Sequence, residues 1–385
     1  MSSLKLNSSG GGSVTLTPAS TASNLTATVP AVADTLAVQG QLGLRNKIIN
    51  GAMMIDQRNA GASVTPVDGG YTLDRWVYLA DQASKCTMQQ NAASVTPPAG
   101  FSNYLGVTST AATTITTSQQ FSVVQRVEGF NMADLAWGTA SAASVTLSFW
   151  VRSSLTGTFG GALRNDAGNY NYVFSYTISS ANTWEQKTVT IIGATSGTWT
   201  ISNGRCLQVA FSLGAGATLS TTAGSWTTSN YWNVTSGVQV VGTNGATFYI
   251  TGVQLEKGAT ATPFENRMYG TELALCQRYL PFFSATGAGE FCSGLVLSGG
   301  TSALATFPFL VTPRVAPTGV SVSGTLKVRQ TSGASTNATG VSFDNANFVA
   351  GSVVLSGMTG ITAGNSAPTG YASGTVTVQF TGCEL

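Results

Sequence analysis

Apolar side chains recur at every second position in several short stretches of this chain. The clearest of these stretches begin at Val145, Tyr172, Leu207 and Val376. Because successive side chains of a strand point to opposite faces of a sheet, this period of two indicates strands with one buried face. Turns that contain glycine or asparagine, such as the one at 244–245, separate the stretches. The pattern therefore predicts a chain that is almost entirely β-structure.

The stretch 247–280 is where the period of two gives way to a helical period. Its first part predicts a strand in which Phe248 and Ile250 face one side of the sheet. Tyr249, Thr251 and Val253 are expected to face the other side. A turn at 257–258 and an extended passage follow, and they close the predicted β-domain.

Residues 269–280 carry the one helix that the pattern supports. Thr271 is the expected N-cap, and Glu272 lies where the helix dipole favours an anion. Leu273, Cys276 and Leu280 recur at helical spacing. We therefore expect a short helix that links two β-domains.

The fold class predicted for the chain is all-β, with four parts. Residues 45–268 are expected to form a jelly-roll β-sandwich, residues 269–280 a linker helix and residues 281–385 a second, smaller β-sandwich. The sandwich is expected to begin with a strand over 47–53. An exposed loop is expected at 330–340. The predicted strands of the second domain are 294–298, 303–309, 320–329, 353–356 and 375–380.

The first 44 residues are expected to act as an anchoring or oligomerisation segment. They contain two charged side chains, Lys5 and Asp34, and short alternating bursts at 14–17, 25–30 and 36–38. So few residues cannot bury a sufficient core alone. One interpretation is that several copies wrap together or dock on another protein, and the other is a disordered tail. We favour the first because solvated tails need no apolar period.

Composition restricts the function classes. Only 8% of the residues are charged, where about 25% is usual, and the net charge is +2. The basic residues are too dispersed to predict nucleic-acid binding. No apolar run approaches the ~18 residues that would predict membrane insertion, and the N-terminus lacks an apolar secretory core. Neutral hydroxyl and amide side chains must therefore cover the surface.

The chain contains no histidine and five widely spaced cysteines. The absence of histidine removes Ser-His-Asp and Cys-His catalysis and histidine metal sites. The cysteine spacing does not fit a zinc site, and we expect neither a metal nor a cofactor. The cysteines are interpreted as reduced, buried thiols. The alternative is a disulfide between subunits or domains, for which Cys383 is the best candidate.

Aromatic residues in a polar context are the predicted ligand-binding residues. Trp226, Tyr231 and Trp232 lie in the segment SWTTSNYWN, and Tyr170 and Tyr172 give a weaker version of the same signal. Aromatic faces beside neutral amides and hydroxyls suit the CH faces and hydroxyls of sugars. The alternative is that these rings pack on the edge of the sandwich or against a neighbouring subunit.

Carboxylates offer a weaker indication of chemistry. Glycoside hydrolysis needs two carboxyl groups about 5–10 Å apart, and no aspartate pair is singled out by its context. Asp74 beside Arg75 is interpreted as a structural ion pair or turn cap. The aspartates considered for catalysis are Asp56, Asp74, Asp134 and Asp166.

Two further sets of charged residues have structural interpretations. Asp56 and Glu256 flank the predicted first and last strands, where they could share a calcium ion. The favoured alternative is a salt bridge at a strand end, with Lys257 or Arg58 as the partner. Hydrogen-bonded pairs are expected to hold the sandwich to the helix, and the residues expected in them are Arg126, Glu128 and Arg267.

Six segments, taken in order, resemble virion appendage proteins of tailed bacteriophages. The segments are KIINGAMMIDQRNAGAS, YTLDRWVY, VQRVEG, SVTLSFWVRSS, TFYITGVQLEKGATATPFE and YGTELALCQRYL. Proteins of that type resemble galactose-binding-like jelly rolls and carbohydrate-binding modules. The resemblance implies a structural, non-enzymatic part of the virion that is commonly trimeric.

The leading hypothesis is therefore a homotrimeric tail-fibre or appendage subunit that attaches the virion to host-surface glycan. Residues 1–44 would contact other virion proteins, and the protein would be located in the virion. The alternative is a purely architectural collar, neck or capsid-decoration fibre without a ligand. An enzyme that acts on polysaccharide is the third hypothesis.

Overall fold

The computed structural model describes residues 4–7, 13–16, 45–287, 289–329, 335–371 and 374–385. The chain divides into two units, Met1–Gly43 and Leu44–Leu385.

In the first unit, β1 (Leu4–Asn7) pairs with β2 (Ser13–Leu16) in an antiparallel ladder. β2 overlaps the first predicted burst, whereas the bursts at 25–30 and 36–38 lie outside the described residues. The anchoring role of this segment stays a prediction.

The second unit begins with a two-sheet β-sandwich. One sheet has seven strands in the order β14-β10-β9-β12-β7-β4-β3, and the other has five in the order β11-β8-β16-β6-β5. A short parallel pair joins β13 to β15. The strands are β3 (Tyr71–Leu73), β4 (Trp76–Ala80), β5 (Cys86–Gln90), β6 (Leu105–Ser109), β7 (Gln120–Glu128), β8 (Val145–Ser153), β9 (Gly157–Asn165), β10 (Asn171–Ile178), β11 (Glu185–Ile191), β12 (Arg205–Ala215), β13 (Ser220–Thr221), β14 (Trp226–Thr227), β15 (Asn233–Val234) and β16 (Thr247–Lys257).

One core fills the space between the two sheets. The alternating residues of β8, β10 and β12 all enter it, as their period of two predicts. Phe149 packs edge-to-face on Phe211 and on Tyr176, with ring centroids 5.0 and 4.9 Å apart. Together with the strand order, this confirms the prediction of a nearly all-β chain built on a β-sandwich.

A β-bulge changes the face assignment predicted for β16. Phe248 and Ile250 enter the core, but Val253 enters it too rather than sharing a face with Tyr249. The register with β8 shifts between Thr251 and Gln254, where Gly252 has a φ of 61°. The additional residue at the bulge reverses the alternation.

The predicted first strand over 47–53 is wrong. This segment runs beside β16 and shares two backbone hydrogen bonds with it, Lys47 N to Leu255 O and Val253 N to Gly51 O. Asn50 and Met53 have positive φ values of 57°, so the segment cannot continue as a regular strand.

Helix α1 spans Tyr269–Gln277 and is the one α-helix among the described residues. Thr271 is not its N-cap, because the helix already begins at Tyr269, with Met268 in the cap position. The N–H of Glu272 donates to the carbonyl of Met268 at 3.1 Å. Cys276 and Leu280 are buried, and Leu273 is partly buried. No helix of the described part of the chain has the length and apolarity needed to cross a membrane.

Residues beyond the helix form a second β-structure with its own core. Its strands make three sheets, in the orders β17-β27-β21, β18-β26-β22-β23 and β19-β20-β25-β24. They are β17 (Phe282–Thr286), β18 (Gly289–Cys292), β19 (Gly294–Val296), β20 (Ala303–Pro308), β21 (Gly319–Ser323), β22 (Leu326–Arg329), β23 (Ser335–Asn337), β24 (Gly340–Ala346), β25 (Ala350–Ser356), β26 (Thr369–Tyr371) and β27 (Thr375–Thr381).

Two sequence predictions for this region need correction. The predicted strand at 320–329 is two strands, because Gly324 has a φ of 81° and breaks it between β21 and β22. The predicted loop at 330–340 contains β23, and residues 330–334 lie outside the described part. The face shared by Val376, Val378 and Phe380 is fully buried, in agreement with its period of two.

Candidate functional site

Aromatic rings gather at the edge of the seven-stranded sheet where β14 pairs with β10. Trp226 lies opposite Tyr172 in that pairing. Its ring stacks on Tyr170, with centroids 5.3 Å apart and planes at 6°, and meets Trp199 edge-to-face at 5.6 Å. Trp137 lies 4.8 Å from Trp199 and 5.4 Å from Trp226. We call these five rings the end cluster.

Backbone carbonyls fix the indoles of the end cluster. Trp226 donates to the carbonyl of Ile192 at 2.8 Å and Trp199 to that of Ser196 at 2.9 Å. Trp137 and Tyr172 are buried, whereas Tyr170, Trp199 and Trp226 are half-buried. The cluster is therefore a rigid set of three partly accessible rings on two buried ones.

The rim of the end cluster consists mainly of neutral polar residues. Asn169 precedes Tyr170, and Thr195, Ser196 and Thr198 precede Trp199; all four are exposed, as is Ile192, whose carbonyl binds Trp226. The turn that precedes Tyr170 also carries an ion pair between Asp166 and Arg205, whose charges compensate each other. Hydroxyl and amide groups beside aromatic faces are suited to an uncharged, hydroxyl-rich ligand.

The structure separates the other predicted ligand residues from this cluster. Trp232 is buried with Val124 and Ala210, residues of β7 and β12 that lie outside the sandwich core. The guanidinium of Arg164 lies 3.5 Å from the ring centroid, and the indole donates to Asn230. Trp232 thus covers the outer face of the seven-stranded sheet. Tyr231 is half-buried and belongs to no ring pair among the described residues.

The five residues predicted to bind a ligand therefore do not all lie at one place. Tyr170 and Trp226 come together at an accessible surface, and Tyr172 lies beneath them. The sequence prediction omitted Trp137 and Trp199, each of which stands alone in the sequence, far from the other rings. No local signal identifies them, because they lie in loops outside the strands and join Trp226 only through ring packing in the folded chain. The ligand-binding role of the five predicted residues stays a prediction.

Buried charges join the sandwich to the helix. Glu128, at the end of β7, accepts hydrogen bonds from Arg278 Nε at 3.0 Å, Arg278 Nη2 at 2.6 Å and the hydroxyl of Tyr279 at 2.6 Å. Arg267 contacts Glu272 of the helix at 3.4 Å. These contacts confirm the structural role predicted for Glu128 and Arg267. Arg126 instead donates to the carbonyl oxygen of Leu385.

Residues 383–385 return to the sandwich between four arginines, which we call the tail clamp. The carboxylate of Glu384 forms ion pairs with Arg58 and Arg75. Arg314 donates to the carbonyls of residues 383 and 384, at 2.8 and 2.7 Å, and Arg126 is the fourth arginine. Burial alone would lower the pKa of Arg75, but the charge of Glu384 and other neighbours raises it above its ordinary value.

Asp74 does not form the predicted ion pair with Arg75. Its carboxylate accepts hydrogen bonds from the backbone N–H of Gln57 at 2.7 Å and from Gln57 Nε2 at 2.8 Å, so it acts as a turn cap. Burial raises the pKa of Asp74 to about 6, although Arg58 and the Gln57 hydrogen bonds act in the opposite direction. Asp74 is therefore a buried carboxyl group that titrates near neutral pH.

The raised pKa of Asp74 predicts a pH dependence of stability. Between about pH 4 and pH 6 the folded state binds a proton that the unfolded state has released, so stability falls as pH rises through this window. The loss is complete above pH 6. We expect Asp74→Asn to gain up to about 3 kcal/mol relative to the wild type between pH 4 and pH 7. Urea unfolding across that range measures the difference, and parallel curves for the two proteins would contradict the assignment.

The other candidate carboxylates also have structural partners. Asp56 accepts from the N–H groups of Asn59 and Gly61, and Asp134 pairs with Lys47 at 2.7 Å. Glu256 accepts from Gln254 and Thr262. The predicted strand-end salt bridge is not formed, because Arg58 binds Glu384 and Lys257 donates to the Asp134 carbonyl. The described residues contain no group of three or more acidic, cysteine or histidine side chains that could hold a metal ion.

The cysteines are free thiols. Four are buried and Cys292 is partly buried, as the sequence interpretation has it. The thiol of Cys383 is fully buried and donates to the carbonyl of Val315 at 3.2 Å. Burial raises its pKa to about 11, so little thiolate forms near neutral pH. Cys383 is therefore not exposed for the suggested disulfide between subunits.

Comparison with known proteins gives similarity at the level of the fold. No protein-family model matches this chain, and no curated protein matches its sequence. Similar solved structures include the enzymatically active domain of tailspike protein 4 of bacteriophage CBA120. That similarity has 13% identity and a TM-score of 0.31, and it covers 55% of this chain but 21% of the tailspike chain.

Two further solved structures are similar to this chain over their whole length. The module TmCBM61, in complex with β-1,4-galactotriose, is 12% identical, with a TM-score of 0.29 and 56% of this chain covered. A putative sugar-binding protein from Bacteroides thetaiotaomicron VPI-5482 is 13% identical, with a TM-score of 0.33 and the same share covered. At such TM-scores the similarity does not decide what this chain binds.

Proposed function

We propose that this chain is a non-catalytic attachment protein that binds glycan through the partly accessible rings of the end cluster. The observation that carries the proposal is the near-parallel stack of Tyr170 on Trp226, which is partly open beside Trp199. Backbone carbonyls hold the indoles of Trp226 and Trp199 in place. A rigid aromatic surface binds at little conformational cost, because its rings are already ordered before the ligand arrives.

The low charge of the chain favours an uncharged ligand. The chain has 8% charged residues and no histidine, and the charged groups described above are engaged in structural pairs. The rim of the end cluster offers amide and hydroxyl groups that can exchange hydrogen bonds with sugar hydroxyls. We infer binding without chemistry, and release of reducing sugar from a host polysaccharide by this protein would contradict it.

We further propose that the protein is a homotrimeric tail-fibre or appendage subunit of a tailed bacteriophage. The support is the resemblance of the six ordered segments, which lie between residues 47 and 280. Residues 1–44 would contact other virion proteins. Several copies of a weak site add their affinities by avidity, so each site needs only millimolar strength. Light scattering tests the trimer, and the mass of a single chain would contradict it.

The architectural alternative has its own supporting observation. The indole N–H groups of the end cluster are already bound to backbone carbonyls, as in a cluster that only stabilises the sandwich. A collar or decoration fibre would use the same fold without a ligand. Binding of the full chain to host cells or glycans separates the two functions.

The site prediction concerns two of the partly accessible rings, Tyr170 and Trp199. We expect Tyr170→Ala and Trp199→Ala each to weaken glycan or host-cell binding about tenfold, which corresponds to ~1.4 kcal/mol. Loss of a stacking face is the cause, so Tyr170→Phe should bind as the wild type does. Flow cytometry with labelled protein gives the measurement. Unchanged binding of both alanine variants would place the glycan elsewhere.

A further inference from the structure

The outer face of the five-stranded sheet carries a second aromatic and polar surface along β8 and β11. Because Phe149 and Val151 enter the core, Trp150 between them points outward. In the pairing of the two strands, Gln186 lies opposite Trp150 and Thr188 lies opposite Ser148. Both β11 side chains are exposed, and Trp150 is half-buried. We call Trp150, Gln186 and Thr188 the shelf.

Trp150 differs from the other six tryptophans in its hydrogen bonding. Within the described ranges, its indole N–H has no protein acceptor, whereas each of the others donates to a carbonyl or an amide oxygen. The six donors that are engaged belong to Trp76, Trp137, Trp184, Trp199, Trp226 and Trp232. A half-buried ring with an unused donor is available to bind an external acceptor.

An aromatic wall borders the shelf on the side of β16. Phe101 packs edge-to-face on Phe264, with centroids 5.0 Å apart. Trp150 and Phe101 both approach Gly252, since a Cβ there would lie 3.1 Å from Trp150 Cδ1 and 2.6 Å from Phe101 Cζ. The wall therefore lies on the β16 side of the indole, and the exposed Gln186 and Thr188 lie on the β11 side.

The groups around the shelf select a neutral ligand. Gln186 and Thr188 supply an amide and a hydroxyl, which both donate and accept. Arg152 is the one charged residue among the outward-facing positions of β8, and its Nε is bound to the Asn182 carbonyl at 2.9 Å. A phosphate or an acidic peptide would need several free cationic donors. A pyranose needs an aromatic face and a few neutral hydrogen-bonding groups.

We propose that the shelf is a second glycan subsite, on a different sheet from the end cluster, which takes a neutral hexose or N-acetylhexosamine unit. Trp150 provides the stacking face and donates its indole N–H to a sugar hydroxyl, and Gln186 and Thr188 complete the hydrogen bonds. This inference rests on the proposed glycan-attachment function. It gives each chain two subsites, and their combined occupancy raises avidity without any new contact at the end cluster.

The experiment uses the full chain and an array of neutral hexose and N-acetylhexosamine oligosaccharides. We expect Trp150→Phe, which keeps a ring but removes the N–H, to weaken binding of the best array ligand about tenfold. We expect the double variant Gln186→Ala with Thr188→Ala to weaken it about fivefold. Thr177→Ala is the matched control, because Thr177 is an exposed threonine of β10 in the other sheet, and it should leave binding unchanged.

A second readout assigns the ligand to one surface. In protein labelled with 5-fluorotryptophan, the fluorine resonance that disappears in Trp150→Phe belongs to Trp150, and the best array ligand should shift it. Shifts confined to Trp199 and Trp226, with wild-type affinity in the shelf variants, would overturn the shelf while leaving the proposed function intact. Absence of binding by the wild type to the array and to host cells would overturn both.

Discussion

Replacing Glu384 by glutamine is expected to destabilise the sandwich by about 3–5 kcal/mol. Arg75 is 1% exposed, and Glu384 is its carboxylate partner in the tail clamp. The guanidinium also donates to the Arg126 carbonyl at 2.6 Å and lies 3.6 Å from the centroid of the Tyr279 ring. Neither contact supplies a negative charge. Glutamine keeps the volume of the side chain but leaves a buried cation without compensation.

The seven tryptophans provide a specific probe for this measurement. All of them lie between residues 76 and 232, so the intrinsic fluorescence of the chain reports on the first sandwich. Glu384→Gln should lower the urea midpoint of the fluorescence transition at an unchanged slope. Such a result would show that the carboxylate of Glu384 stabilises a domain that begins more than 300 positions earlier.

The matched control is an ion pair of the same domain whose carboxylate is exposed to solvent. Asp134 pairs with Lys47 at 2.7 Å, and its side chain is 48% exposed. We expect Asp134→Asn to cost about 1 kcal/mol, less than Glu384→Gln, because the Lys47 side chain is 13% exposed against 1% for Arg75 and so keeps access to water after the pair is broken. Equal losses for the two variants would mean that the burial of Arg75 does not determine its dependence on Glu384.

The strands of the fold could be predicted where one face is buried and the register is regular. The alternation in β8, β10 and β12 depends only on that burial, so the sequence carries it locally. The prediction failed at Val253, because the bulge at Gly252 is set by pairing with β8. It also failed over 47–53, where the positive φ values of Asn50 and Met53 follow from contacts with distant residues. One example is the bond from the Asn50 amide to the Asp74 carbonyl.

The candidate site could be predicted only in part, for a related reason. Trp226 and Trp232 are six positions apart, but they lie in different packed clusters of the sandwich. Trp199 lies far from Trp226 in the sequence, yet their rings touch. Nothing local encodes these outcomes, since they depend on how loops and strands that are distant in the sequence pack together. Similarly, the pair between Arg75 and Glu384 joins residues 309 positions apart, which a period or a motif does not reveal.

The second large effect is expected at Glu128, where the sandwich meets the helix. Glu128 is 1% exposed and accepts three hydrogen bonds, two from Arg278 and one from the buried hydroxyl of Tyr279. Glutamine in its place presents an N–H₂ group to at least one of these donors, so a buried donor is left without an acceptor. We expect Glu128→Gln to cost about 3–5 kcal/mol, toward the lower end because Arg278 is 31% exposed.

A double-mutant cycle separates this pair from general disruption of the interface. Arg278→Gln alone leaves the Glu128 carboxylate buried beside Tyr279, so it should also be destabilising. The double variant should lose at least about 1 kcal/mol less than the sum of the two single losses, because neither residue then remains as an uncompensated charge. Additive losses, read from the same tryptophan transition, would contradict the pairing. A shortfall from additivity would show that a buried carboxylate on β7 fixes the segment after α1 to the sandwich, and with it the start of the second β-structure.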